Sequence, residues 1–263
     1  MAEHLTETRG KLASLRSATP ARIFLPRTGS ALTTRANLEF QLAHAEARDA
    51  VGEHLDVASL VDNLQSRGLE TIRLSSAARD RRTYLLRPDL GRRLDESSRV
   101  RLAGSAGDYD IAFVIADGLS ARAITSHAIA LLDEALPMFQ PDLWKLAPIV
   151  VVEQGRVAIG DEIGQMLGTK LVAVLIGERP GLTSPDSLGV YLTFAPNVGR
   201  TDAERNCLSN IRSQGMSYCE AAQRLAYLCS EARRRKLTGV ALKDESSHVI
   251  YADRLPEISA SKP

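Results

Sequence analysis

Three short segments carry the residue types that could do chemistry, and each follows an apolar stretch. Gly177-Glu178-Arg179-Pro180-Gly181, continued by residues 182–189, follows the run 171–176. Its glycines allow close backbone approach, its prolines stiffen the loop, and Glu178 sets a carboxylate beside the strand end. Gly155-Arg156-Val157-Ala158-Ile159-Gly160 follows the run 149–152 and presents Val157 between two glycines. Residues 199–212 follow the alternating stretch 188–194 and read as a polar loop around one thiol, Cys207. A ligand for such an edge would be broad, partly apolar and fringed by hydrogen-bonding groups.

Other signals fail on spacing. Gly164-Gln-Met-Leu-Gly168-Thr-Lys170 imitates a phosphate loop, but its spacer is one residue short and Lys and Thr are reversed. Gly168 reads instead as a helix C-cap. No Gly-x-Gly-x-x-Gly follows the first strong strand. His4, His44, His54, His127 and His248 are scattered, and none pairs with a His or Cys at metal-ligand spacing. His127 reads as a packing histidine. Cys207, Cys219 and Cys229 make neither a disulfide framework nor a Cys-x-x-Cys pair. A nucleophile elbow is absent too. Nothing in the chain reads as a self-contained catalytic constellation.

The elements that must position these loops follow from periodicity. Thr34 caps a helix over 35–51 with Leu38, Leu42 and Ala45 on its apolar face. A second helix follows Asp56, with Val57, Leu60, Val61 and Leu64 inward and Gly68 at its end. Leu69, Ile72 and Leu74 suit a strand or an extended connection. Residues 79–101 hold eight arginines, four acids and a single aromatic, Tyr84. Without stacking aromatics this reads as a solvated face that also contacts a partner, not as a nucleic-acid reader. From Tyr109 the pattern is regular: strand 111–116, covered on both faces; a turn and a helix capped by Ser120; strand 149–152; a short helix from Asp161; strands 171–176 and 188–194. Ser217 and Glu220 form a capping box ahead of a helix that stops near Gly239. Strands alternating with helices predict an α/β fold: a Rossmann-like, mainly parallel sheet with flanking helices, preceded by an extended and helical N-terminal segment. The divisions are an arm over 1–33, where Leu5, Leu12 and Leu15 could line a short helix, a helical region over 34–105, a Rossmann-like domain over 106–244 and a tail over 245–263.

Composition bounds the rest. In 263 residues, 33 Lys and Arg balance 32 Asp and Glu, leaving a net charge of +1 and no general field for nucleic acid or an anionic membrane. The longest apolar runs are strand-sized, and the first thirty residues carry no secretory core. These features fit a reducing cytoplasm.

Taken in order, Thr19-Pro-Ala-Arg-Ile23, Arg27-Thr-Gly29, Ala116-Asp-Gly-Leu-Ser120, Gly155-Arg-Val157, Gly160-Asp-Glu-Ile-Gly164, Leu175-Ile-Gly-Glu-Arg-Pro-Gly-Leu182 and Asn206-Cys-Leu-Ser-Asn-Ile-Arg212 form a set. Together they resemble the small subunit (light chain) of ethanolamine ammonia-lyase, over most of the chain from Thr19 to Asp244. The resemblance implies an adenosylcobalamin-dependent lyase that converts ethanolamine to acetaldehyde and ammonia. It implies a coenzyme held between this subunit and a large barrel subunit that binds the substrate and runs the radical chemistry. By the same resemblance, Val157 packs near the lower side of the coenzyme, Glu178 accepts hydrogen bonds from its polar fringe, and Cys207 touches it from the third loop. No catalytic residue and no metal ligand is implied in this chain. It has no Asp-x-His-x-x-Gly motif, so cobalt is expected to keep its own base. Read without the family, Val157 could be strand core, Glu178 could pair with Arg179, and Cys207 could be a small buried hydrophobe. A stand-alone corrinoid-binding or carrier module is the alternative function. The resemblance implies a cytoplasmic complex, free or within a bacterial microcompartment.

Overall fold

The computed structural model describes residues 21–246 together with Ser14, Leu15, Ala18 and Thr19. Leu5 and Leu12 of the arm, and Val249-Ile-Tyr251 of the tail, lie outside the described residues. β1 (Arg27–Thr28) and β2 (Ala31–Leu32) pair as a short antiparallel ribbon turned at Gly29, which sits at φ +63°. α1 (Thr34–Gly52) starts one residue earlier than expected, because the Thr33 hydroxyl accepts the Ala36 N–H and takes the cap from Thr34. Its expected inward face needs correction as well. Ala36, Ala43 and Ala50 are buried, whereas Leu38 and Leu42 are 58% and 61% exposed. Small residues let α1 lie close to its neighbour, and its large apolar side chains face out.

Asp56 caps α2 (Val57–Ser66) as expected, and its carboxylate accepts the Ser59 N–H at 3.1 Å. β3 (Thr71–Ser75) follows as a true strand. Asp80 and Asp95 then cap α3 (Arg81–Leu86) and α4 (Glu96–Ala103) through the same side-chain-to-backbone bond. The arginine-rich stretch is therefore not a uniformly solvated face. Arg87 pairs with Asp89, Arg93 and Arg99 converge on buried Glu162, and Arg81 is itself buried.

β4 (Tyr109–Ala116), α5 (Ala121–Ala135), β5 (Ile149–Glu153), α6 (Ile159–Leu167), β6 (Thr169–Gly177), β7 (Leu188–Phe194), β8 (Arg205–Ile211) and α7 (Tyr218–Arg235) complete the chain. The six-stranded order is β3-β5-β4-β6-β7-β8. The first four strands are parallel, but β7 and β8 run antiparallel to their neighbours, so the sheet is mixed. The expectation of a mainly parallel sheet did not include this antiparallel edge. No α-helix separates β6 from β7, or β7 from β8, and without a crossover the chain must reverse direction. β8 is also a strand where a polar loop was expected. Its Leu208 and Ile211 are buried on one face, while Cys207 and Ser209 are exposed on the other.

The sheet separates two apolar clusters. On one side α2, α5 and α7 cover Ile111, Phe113, Ile115, Leu188, Val190, Leu192 and Leu208. On the other, α4 and α6 cover Val114, Ala116, Val150, Val152, Val172 and Val174. β4 has neighbours on both faces, which is why its run is unbroken, and truncating fully buried Phe113 to Ala would cost about 3–5 kcal/mol. α6 begins two residues before Asp161 and ends at Gly168, at φ +74°. Ser217 accepts the Glu220 N–H ahead of α7, but Glu220 turns its carboxylate to Arg224, so half of the expected capping box forms. Lys236, in the left-handed region at φ +58°, ends α7 before Gly239 is reached.

Candidate functional site at the strand ends

The carboxyl ends of β4, β5 and β6 meet at a set of close backbone approaches. Gly118 sits at φ +60°, and a Cβ there would lie 2.3 Å from the Gly177 carbonyl. A Cβ on Gly177 would lie 2.0 Å from the Ser120 carbonyl. These two glycines hold the β4 and β6 turns back to back, leaving room above them. Asp117 fastens the third turn. Its Oδ1 accepts the N–H groups of Gly118 and Gly155, each at 3.0 Å, and its Oδ2 lies 3.6 Å from Arg81 Nη1. Burial pushes the Asp117 carboxyl up to about 6, against the opposing pull of Arg81 and the backbone donors.

Above this floor is a groove of about 400 Å³ lined by Tyr84, Gly118, Leu119, Arg156, Val157, Ile176, Gly177, Glu178, Arg179 and Tyr191. It adjoins a second groove of about 470 Å³, and both are walled by Arg156, Val157 and Tyr191. Val157 stands on the β5–α6 turn, half-buried against the α6-side cluster, and is not strand core. Glu178 does not pair with Arg179. Its Oε2 accepts from Ser187 Oγ at 2.5 Å and Asn210 N at 3.2 Å, and its Oε1 from Ser209 Oγ at 2.6 Å. Gly189 makes this geometry possible, because a Cβ there would meet Glu178 Oε1 at 2.9 Å. A carboxylate offers about four acceptor positions, so three donors leave Glu178 capacity for one more.

Cys207 does not line the groove. It lies one strand further out, directly across the β7–β8 ladder from Tyr191, which does. It is exposed, not a buried hydrophobe. Desolvation raises its thiol pKa, against an opposing hydrogen bond with Tyr191 and with a smaller push from the Glu178 charge, so the thiol stays neutral. Val157 and Glu178 thus share one groove, and Cys207 lies beside it on the face of β7 and β8 that is exposed among the described residues.

Sequence reasoning missed several lining residues. Tyr84 is fully buried between two guanidinium groups, Arg81 at 4.8 Å and Arg156 at 4.2 Å from its ring centre. Arg156 was hidden inside the Gly-Arg-Val motif. Ser209 lies two residues from Cys207, so the period of a strand puts both on one face, a signal that needed β8 to be read as a strand. His127 is a satisfied packing histidine, as expected: Nδ1 is 2.8 Å from Tyr218 Oη and Nε2 is 3.1 Å from Asp186. Through Asp186 it anchors the Glu178 loop, while Ser120 Oγ donates to the Pro185 carbonyl at 2.8 Å. Among the described residues, no group of three or more His, Cys, Asp or Glu could hold a metal ion. Among them, too, no helix is long and apolar enough to cross a membrane.

Fold and groove together define a mixed α/β chain with a ligand-sized cleft at its strand ends, continued by a sheet face left exposed among the described residues. The model of the ethanolamine ammonia-lyase light chain matches residues 9–243. The small subunit of that enzyme from Azotobacter vinelandii is 55% identical over 250 residues, covering 94% of this chain and 93% of the relative. The Xanthomonas campestris pv. campestris small subunit is also 55% identical, covering 94% and 92%. The Pseudomonas aeruginosa small subunit is 56% identical over 236 residues, covering 88% and 86%. The chain belongs to the ethanolamine ammonia-lyase light-chain family, and so is a lyase subunit.

Proposed function

We propose that the paired grooves and the open β7–β8 face hold one side of adenosylcobalamin, and that the large subunit of the lyase covers the other. The observation that carries this reading is the convergence of Val157, Glu178 and, through Tyr191, Cys207 from three separate segments onto one continuous surface. The residues fit such a ligand. Gly118, Gly155 and Gly177 let the three turns pack so closely that a Cβ on any of them would strike the neighbouring turn or strand, the walls mix apolar and polar groups, and Arg156 Nε is a buried donor without an acceptor among the described residues. Val157 would take apolar contact, Glu178 would accept an amide or hydroxyl donor, and Cys207 would meet the outer rim as a neutral thiol. The coenzyme, when bound, supplies a radical by homolysis of its cobalt–carbon bond. This chain's share is to bind, orient and screen from water, while ethanolamine sits chiefly on the large subunit. The four parallel strands with their flanking helices support a Rossmann-like reading of that half of the sheet. Residues 106–244 would be the coenzyme-binding unit, with 34–105 lending it β3, between an arm over 1–33 and a tail over 245–263. A cytoplasmic complex, free or in a microcompartment, is the setting we infer.

The test is co-expression with a large-subunit candidate, followed by gel filtration with added coenzyme. A complex that keeps the corrin visible spectrum and releases ammonia from ethanolamine supports the reading. Loss of the spectrum from an assembled complex would sink it. Retention of corrinoid by this chain alone, with no gain on adding the large subunit, would favour the carrier module.

A further inference from the structure

At the junction of the two grooves stands a cation without a counter-ion among the described residues. Arg156 is stacked at 4.2 Å on the ring of buried Tyr84, and its Nη2 donates to the Tyr84 carbonyl at 3.1 Å. Its Nε is shut off from solvent and has no acceptor. Arg81, on the same ring, is compensated by Asp117 at 3.6 Å, whereas among the described residues no carboxylate pairs with Arg156. Gly91 holds this arrangement open: its carbonyl accepts the Arg156 N–H at 2.7 Å, and a Cβ there would strike Arg156 Cγ at 2.8 Å. Partial desolvation of a guanidinium without an anion is costly, and a ligand anion would recover that cost.

The second groove adds to this charge. Arg92 lines it, exposed, with no side-chain partner among the described residues. Arg200, also on its wall, is engaged by Glu204. The acid at the rim, Asp202, faces Arg205 at 3.4 Å. Val157, Ala158 and Tyr191 supply apolar wall beside these cations. Two guanidinium groups beside an apolar wall suit a tetrahedral oxyanion carried on a larger body.

We propose that this junction is a phosphate subsite, with Arg156 as its recognition group and Arg92 as an auxiliary cation. Where the phosphate is that of the coenzyme's own nucleotide loop, the proposal rests on the coenzyme reading above; a free phosphate would need only the arginines.

The experiment uses the full chain assembled with its large subunit and equilibrium dialysis read by corrin absorbance. Two probes are compared, a corrinoid that keeps the phosphate but lacks the lower base and one that lacks both. Inorganic phosphate, followed by thermal melting, is the third. The wild type should prefer the phosphate-bearing corrinoid by about tenfold. Arg156→Gln should abolish that preference and leave the phosphate-free corrinoid bound as before, and Arg156→Lys should restore part of it. Arg92→Gln, at an exposed position that does not threaten folding, should reduce the preference about threefold. Equal weakening of both corrinoids by Arg156→Gln would make the arginine a mere support of the groove and overturn the proposal. So would a wild type that shows no preference and no response to phosphate. If no corrinoid binds, the complete coenzyme included, but inorganic phosphate raises the melting temperature of the wild type and not of Arg156→Gln, the coenzyme reading falls and the phosphate subsite stands.

Discussion

Under α6, the sheet face formed by β5, β4 and β6 is a dry layer of Val114, Ala116, Val150, Val152, Val172 and Val174. Further out on the same face, β7 and β8 present Tyr191, Cys207 and Ser209, and the last two are exposed. The opposite face shows no such contrast, since α5 and α7 cover Leu188, Val190 and Leu192 of β7 and also Leu208 of β8. One face therefore holds the protein together along its whole width. The other does so along half its width and is exposed along the rest among the described residues. The boundary between these halves is ionic. Arg205, at the start of β8, is buried and grips Asp161 of α6 with two bonds of 2.6 and 2.7 Å, and donates to Thr193 at 2.9 Å.

That boundary should be the most sensitive place to break. Asp161→Asn would leave the Arg205 charge buried without its partner, and about 3–5 kcal/mol of stability should be lost in urea unfolding. Phe113→Ala, deep in the covered half, should cost about as much. A midpoint shift under about 1 kcal/mol for Asp161→Asn would show that the two halves do not depend on this pair.

The next effect concerns pH. The Asp117 carboxyl is raised to about 6 in the folded chain, above the ordinary value of 3.8, so the native state holds the proton more tightly than the unfolded state. Its contribution to stability is fully present below about pH 4 and is lost as pH rises through 6. The loss is at most about 3 kcal/mol. Urea midpoints from about pH 4 to 7 should decline across this window, and Asp117→Asn should flatten that decline. A profile unchanged by the substitution would remove Asp117 as its source.

On the open half, substitutions should act on ligand more than on fold. Glu178→Gln removes the charge that Ser187, Ser209 and Asn210 now face, and sets an amide N–H₂ against donors. Coenzyme affinity of the reconstituted complex should fall by about 1.5–3 kcal/mol, roughly ten- to hundredfold, with a smaller drop in melting temperature. Unchanged affinity would take Glu178 out of the site. Cys207→Ala should be the mildest change, under about 0.5 kcal/mol in stability. Because its thiol pKa is raised, Cys207 should alkylate at about pH 8 more slowly than a free cysteine, and faster reaction would contradict the environment described above.

Much of the covered half was legible in the chain. The continuous apolar run of β4, the Ser120 cap and Gly168 at the end of α6 each express a local rule: a strand buried on both faces, a hydroxyl for a free N–H, a residue without Cβ at positive φ. The open half was harder to read. β8 alternates Leu208 and Ile211 with polar residues that resemble a loop, because the face it leaves exposed carries no apolar signal. The outward leucines of α1 misled for the converse reason: apolar periodicity marks a face that needs covering, and cannot say which molecule covers it.

Local propensity and spacing by themselves determined the strands of the parallel half, the capped helices between them, and the loops that bear Val157 and Glu178. The antiparallel return of β7 and β8, the placement of Cys207 across from Tyr191, the three donors on Glu178, and the Arg81–Tyr84–Arg156 stack were decided by tertiary structure. Each of these joins residues far apart in the chain, such as Tyr84 with Arg156 and Glu178 with Ser209. Periodicity reports which face of an element is apolar. Which distant polar groups meet at a strand end depends on sheet order and register, and those are set by the packing of the whole chain.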